Sequence, residues 1–493
     1  MVTRVSSSSR QPSFLGRKVA IAVVLLLVPV TGFLLWAGMR EGPGPSVELS
    51  ADLPAVGQKT TLTVVVKEPV RGLSSLKIVA GGTALKAPVT LFEQSWEPAP
   101  AHKPWADVGT AEHSAVEHRA TVVVGKSVMP ELVPGQLVVR VVAGRAGTWM
   151  RQPAPVEVER SFEVKLQPPA LAATSMFIHP SQGGAEAVVY EVGPSSVKDG
   201  VEVGAWFFPG APLPGGAPSQ RLVLFAVPYD MDMSEGEAKG KIKLLAVDDV
   251  GNRAEQGFIH KFFPRPMGKD VIELKESFMQ KVTGEIYART PELQKKGTLV
   301  DDYLQLNGEL RRTNNATLKE LAARSELRFL WDETFQPMQN AAVKGSFADR
   351  RAYMFEGKQV DTQDHLGFDL ASLERAPVQA GNSGKVVLAR YFGIFGNAVV
   401  IDHGFGLQTL YAHLSTISAK EGDEVARGAE VGRTGATGLA GGDHLHFTTV
   451  LHGLPVNPIE WWDAHWIRDR LKLKLGDALP WAEQAPVPPP GAP

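Results

Sequence analysis

Cysteine is absent from the 493 residues, which excludes disulfide frameworks, thiol nucleophiles, Cys-ligated zinc and iron–sulfur clusters. Any metal must therefore be held by histidine and carboxylate. An excess of either charge is missing too, since 51 basic residues stand against 53 acidic ones for a formal −2. Such a chain offers no general basic field to a polyphosphate, and no nucleic-acid partner is expected. Charged residues are 21% and hydrophobic ones 44%, too little charge and too much apolar side chain for a mainly disordered protein. The length predicts about three domains at roughly 150 residues each. Glycine (49) and proline (36) exceed their usual share, which favours many turns and short strands.

A second absence is local. No charged residue occurs from Val19 to Met39, and such a run of about 21 residues suffices, at ~1.5 Å each, to cross a ~30 Å hydrocarbon layer. Arg4, Arg10, Arg17 and Lys18 precede it with no acidic residue, so the positive excess predicts a cytoplasmic N-terminus. Residues 1–18 thus read as a cytoplasmic basic leader and 19–39 as a transmembrane anchor. The protein is then a single-pass cell membrane protein whose remainder is periplasmic or extracellular. A cleaved signal peptide is the rival reading, but the apolar run exceeds the usual ~7–15 residues and lacks an Ala-x-Ala site.

After the spacer EGPGP, residues 46–166 alternate as strands do, with TTLTVVVKEPV, RATVVVGKSV and QLVVRVVAG bounded by Gly and Pro. Residues 167–265 are again strand-rich. The segments VVRVVAGRAGTWMRQ and IKLLAVDDVGNRAEQ echo one another, so two tandem β-sandwich modules are the economical reading. The later segment resembles the closing hairpin of bacterial immunoglobulin-like modules, over that hairpin alone. From 266 to 340 the texture becomes that of a short helical connector. There Thr290-Pro291-Glu292 predicts a helix start, and Leu310, Leu318, Leu321 and Ala322 form an apolar stripe. Lying directly before the chemistry, the connector reads first as a plain spacer, the alternative being that it packs on the catalytic domain and restricts its groove until a partner or tension moves it. Residues 467–493 read as a Pro-rich, extended and solvated tail.

Histidine carries the chemical signal: seven of the twelve (His365, His403, His413, His444, His446, His452, His465) fall between positions 365 and 465. In HLGFD, His365 and Asp369 lie on one side of a straight strand but ~13 Å apart by its ~3.3 Å rise. Ligation needs both atoms within ~2.2 Å of one ion, so the chain must bend, which Gly367 permits. In DHLHFTTVL the alternation puts His444, His446 and Thr448 on one face and Leu445, Phe447 and Leu451 on the other. In LQTLYAHL, Leu410, Ala412 and Leu414 face one side, Tyr411 and His413 the other. Each motif alone fits an ordinary strand or turn.

In order and spacing, HLGFD, YAHL and DHLHF resemble the lysostaphin/LytM-type zinc metallopeptidases that cut peptidoglycan peptides. The likeness also takes in SFADRRAYMFEGK, GDEVARGAEVGRTGATG and VNPIEWW. It implies an antiparallel β catalytic domain of LytM type (duplicated hybrid motif-like) over 341–466, within a mainly β protein. It further implies one Zn²⁺ per chain on His365, Asp369 and His446, with His413 and His444 catalytic. Three protein ligands leave a fourth position for water, and the net charge of +1 acidifies that water. No HExxH helix is present to supply a glutamate base, so His444 or His413 must take the proton while the other helps stabilise the oxyanion. His403 and His452 read as turn residues, His465 lies beyond the motif, and Asn397 and Tyr411 are candidates to line the groove.

The expected function is thus a zinc endopeptidase acting on peptide cross-links or stem peptides of peptidoglycan, with envelope or division proteins as candidate partners. The alternatives are a non-enzymatic envelope regulator that activates a separate wall hydrolase, and an adhesive or scaffolding protein. The completeness of the five-residue set argues against a regulator that has lost its ligands.

Overall fold

Phe14–Met39 is a single helix, and its stretch Gly16–Met39, 24 residues, is long and apolar enough to cross a membrane, with Leu25, Leu26 and Val28 exposed. The computed structural model describes residues 14–39, 43–69, 71–96, 116–148 and 150–481. Arg4, Arg10 and the tail residues 482–493 lie outside them. The described residues fall into two compact units, one reaching Gln167 and including Asp249–Asn252, the other made of Pro168–Asp248 and the chain from Arg253 onward.

In the first unit a three-stranded sheet (Ser46–Ala51, Thr60–Lys67, Glu117–Val124) and a four-stranded sheet (Leu73–Gly81, Val89–Ser95, Gly135–Arg145, Val156–Val164) enclose one core. Period-two patterning accounts for it: Leu62, Val64 and Val66 are buried, while Thr61, Thr63 and Val65 between them are half-buried.

The second unit opens with two four-stranded sheets built from residues between Leu171 and Gly257. Their core is not closed on itself. Leu224, Phe225 and Phe262 share one buried cluster with Phe405, Leu407, Leu451 and Trp461, which belong to the histidine-bearing part of the chain. That part centres on an eight-stranded sheet. Its main path runs Ala342–Gly345, Phe368–Ala371, Leu445–Leu451, Leu407–Leu414, Asn397–Gly404, Gly384–Tyr391 and Glu424–Val425, all antiparallel.

The connector begins with a strand, Gly268–Glu273, parallel to Asp349–Phe355, which also pairs with Lys358–His365. Helices Glu276–Arg289, Leu299–Gln305 and Arg311–Ala322 follow, the last two joined by a π-helical turn, Leu306–Leu310. Leu310, Leu318 and Ala322 are buried, and Leu318 packs with Leu388, Phe392, Leu410 and Ala412 of the sheet. The predicted helix start at Thr290 is corrected, because Thr290 ends the helix that began at Glu276. A residue before proline is pushed out of the α region, so Thr290-Pro291 terminates rather than starts. The next helix is capped by Thr298, whose hydroxyl accepts from Asp301 N at 3.1 Å. The extended tail predicted from 467 is corrected over its first part. Helical turns run to Ala478 because Ile467, Leu471, Leu475 and Leu479 are buried against the shared core.

Candidate metal centre

Three strands deliver the candidate ligands. Asp369 and His446 are direct cross-strand partners between Phe368–Ala371 and Leu445–Leu451, so alternation places both side chains on one face. His365 ends a strand of a different sheet, and the chain passes from that sheet to the next through Leu366-Gly367. Gly367 is required there for space rather than for a left-handed backbone. A Cβ on it would lie 2.6 Å from Phe447 O and 2.8 Å from His446 Cε1.

His413 arrives by a bulge. Asn397 pairs with Leu414 and Val399 with Tyr411, so Ala412 and His413 together oppose one residue. Ala412 lies directly opposite His446, hence strict alternation would turn His413 to the other face. Its φ of +62° brings the ring back, 5.7 Å from that of His446 and 5.0 Å from that of His444. The simple alternation expected for LQTLYAHL therefore fails at its end, and Leu414 packs on the same side as Tyr411.

The outer ring nitrogens are occupied. Nδ1 of His365 donates to Ser346 O at 2.8 Å, and Nε2 of His446 lies 3.0 Å from the Thr448 hydroxyl, which either accepts from it or donates to it. The inner atoms, His365 Nε2 and His446 Nδ1, then face each other at 3.1 Å and lie 2.9 and 3.0 Å from Asp369 Oδ1. With both imidazoles neutral and protonated on their outer nitrogens, these are three lone-pair atoms with no proton among them. They repel one another unless a cation sits between them, and a His₂/carboxylate set suits zinc. Nδ1 of His413 donates to Thr437 O at 2.9 Å and Nδ1 of His444 to Gly442 O at 2.8 Å, leaving both Nε2 atoms unspent by the backbone. His444 Nε2 is 3.5 Å from Asp369 Oδ1.

Burial alone would raise the carboxyl of Asp369, but the imidazoles of His365, His444 and His446 set against it outweigh burial and hold it well below the usual carboxylate range. Burial pushes His446 down to about 4, and burial followed by the neighbouring His444 pushes His413 well below its ordinary value. At His444 burial opposes the charged form, yet the hydrogen bond to Asp369 prevails and raises it.

Arg351 is the residue that the sequence does not single out. Its Nη2 lies 3.0 Å from Asp369 Oδ2, and Asp270 is 3.6 Å from its Nε. It occupies the second carboxylate oxygen and leaves Oδ1 to the imidazoles. Gly345 makes room, since a Cβ would lie 2.4 Å from that Nη2. Neither Asn397 nor Tyr411 lines the cavity: Asn397 binds Thr437 and Leu414, and buried Tyr411 accepts from Gly381 N at 2.7 Å. His403 is fully buried in a strand, bonded to Ser383 O and Thr409 Oγ1, rather than in a turn. His452 does sit at a turn, and His465 is exposed away from the cluster. The cavity holds about 260 Å³ and is walled by the histidines, Asp369 and Arg351 on one side and by Phe278, Tyr303, Arg311 and Leu318 of the connector on the other.

Residues 363–458, which contain all five predicted site residues, match Peptidase family M23. The chain is 29% identical over 191 residues to peptidoglycan DD-endopeptidase ShyA of Vibrio cholerae, 39% of this chain and 41% of that protein. It is 45% identical over 96 residues to DD-carboxypeptidase/endopeptidase Mpg of Neisseria meningitidis serogroup B, 19% of this chain and 22% of that one. The match thus spans less than half the length of either relative. The solved catalytic domain of the antimicrobial peptidase lysostaphin from Staphylococcus simulans is similar at 24% identity, over 29% of this chain and 96% of that one, with a TM-score of 0.19. The part of the chain that builds the His/Asp cluster is a domain of peptidase family M23.

Proposed function

We propose that the chain is a zinc-dependent endopeptidase acting on peptide cross-links or stem peptides of peptidoglycan. The observation that carries the reading is the convergence of His365, Asp369 and His446, with His413 and His444 beside them, inside a family M23 domain. A relative named a peptidoglycan DD-endopeptidase supports the substrate class. On this reading His365 Nε2, His446 Nδ1 and Asp369 Oδ1 hold one Zn²⁺. When bound, that ion supplies Lewis-acid polarisation of the scissile carbonyl and acidifies water. Of His413 and His444, one takes the proton of the attacking water and returns it to the leaving amine, while the other steadies the oxyanion. Arg351 fixes the orientation of Asp369. The Gly16–Met39 helix anchors the chain in the cell membrane, with the peptidase domain on the wall side.

Elemental analysis of the full chain should find about one zinc per chain, as a three-ligand catalytic site holds. His365→Ala should lose most of the metal together with wall hydrolysis. Full zinc occupancy in that variant would overturn the ligand assignment.

A further inference from the structure

We propose that Arg311 determines specificity at the metal cavity by binding a free carboxylate on a substrate residue flanking the scissile bond. The inference rests on the peptidase reading above and deepens it. Arg311 lines the same cavity as the four clustered histidines and Asp369. It follows directly on the π-helical turn Leu306–Leu310, set between two α-helices. Turns of this kind re-aim side chains and recur at functional sites.

The guanidinium is aimed. Its Nε donates to Asn307 O at 3.0 Å and its Nη2 to Asn307 Oδ1 at 2.6 Å. Asn307 is fully buried, and its amide nitrogen donates to Asp361 Oδ2 at 2.8 Å. That bond fixes which end of the amide faces Arg311. Asp361 stands on the strand that ends in His365, so the arginine is tied to the scaffold of a candidate ligand.

Its charge is unspent. Among the described residues no carboxylate lies within 4.0 Å of Arg311, whereas Arg351, the other arginine of the cavity, is engaged by Asp369 and Asp270. Two of the five guanidinium N–H groups are used, and three remain. A half-buried arginine held in one orientation with free donors matches a planar carboxylate, which it can grip through two parallel bonds. Peptides cut next to a carboxyl terminus carry such a carboxylate on the residue that bears the leaving nitrogen, and so do peptides cross-linked through the side-chain amine of a diamino dicarboxylic residue.

The test uses the zinc-loaded full chain in detergent with acetyl-L-Lys-D-Ala-D-Ala as free acid and as C-terminal amide. Wild type should prefer the acid by ~30-fold or more in kcat/KM, mainly through KM, as a charge-assisted bidentate pair provides. Arg311→Gln should collapse that preference to ~3-fold or less, and Arg311→Lys should keep part of it, with zinc content unchanged in both. An acid-to-amide ratio near one in wild type, or an undiminished ratio in Arg311→Gln, overturns the proposal; the first outcome decides even if the variant does not fold. If wild type hydrolyses neither these peptides nor peptidoglycan, the peptidase reading fails. Calorimetric binding of the acid, expected at least ~10-fold tighter to wild type than to Arg311→Gln, still decides the role of Arg311.

Discussion

His413 sits in a left-handed backbone conformation that a non-glycine residue adopts at a cost of about 1–3 kcal/mol. The surrounding bonds hold it there: Thr437 O accepts from its ring, and Thr437 Oγ1 accepts from Asn397 N. Strain retained at a bulge beside the candidate ligands is consistent with a ring whose position matters more than local backbone comfort. His413 and His444 are not needed to complete the three-ligand set, so His413→Ala and His444→Ala should each keep zinc while lowering turnover by ~10²-fold or more. If both rings act on one transition state, as proposed, the double variant should cost much less than the product of the two single losses. Steady-state rates measured beside zinc content check this; near-normal hydrolysis in both single variants would remove the assigned roles.

The connector helices are walls of the cavity, and this position decides what they do. Asn314 is buried and its Oδ1 accepts from Ile394 N at 3.0 Å, clasping the Arg311–Ala322 helix to the sheet. Asn314→Ala leaves a buried N–H without a partner and should cost about 1–3 kcal/mol in denaturant unfolding. If the connector presents Arg311 to the substrate, the same variant should lower kcat/KM on the peptide acid. A rise in rate would favour a gate over the wall. Legibility follows the range of the interactions. The alternation in DHLHFTTVL placed His446 correctly, because a strand's period is local, and of the predicted stripe Leu310, Leu318 and Ala322 are buried and Leu321 half-buried, as a helical period predicts. Thr290-Pro291 misled because the same pair that can open a helix also closes one. The bulge at His413, the pairing of Arg351 with Asp369 and the aim of Arg311 depend on partners far along the chain, which periodicity does not reveal.

At the scale of the molecule, the sheets of residues 171–257 and the peptidase sheet share one core, and Glu460 stands in their contact. It is buried and accepts from Ala185 N at 2.8 Å, and burial pushes it up to about 7. The folded chain therefore keeps this proton up to about pH 7, while the unfolded chain loses it near ~4.5, so unfolding releases a proton in between. Stability should fall as pH rises from ~4.5 to ~7, by on the order of 3 kcal/mol. Glu460→Gln should flatten that slope in pH-dependent unfolding, and an unchanged slope would refute the assignment. The central claim is that this architecture presents one metal-dependent peptidase site to the wall. Its most direct test is digestion of purified peptidoglycan by the zinc-loaded full chain, with mass spectrometry of the released muropeptides. The account predicts conversion of cross-linked species to peptide-cleaved ones, abolished by a chelator and by His365→Ala. Peptidoglycan left uncut by a folded chain carrying its full zinc would contradict it.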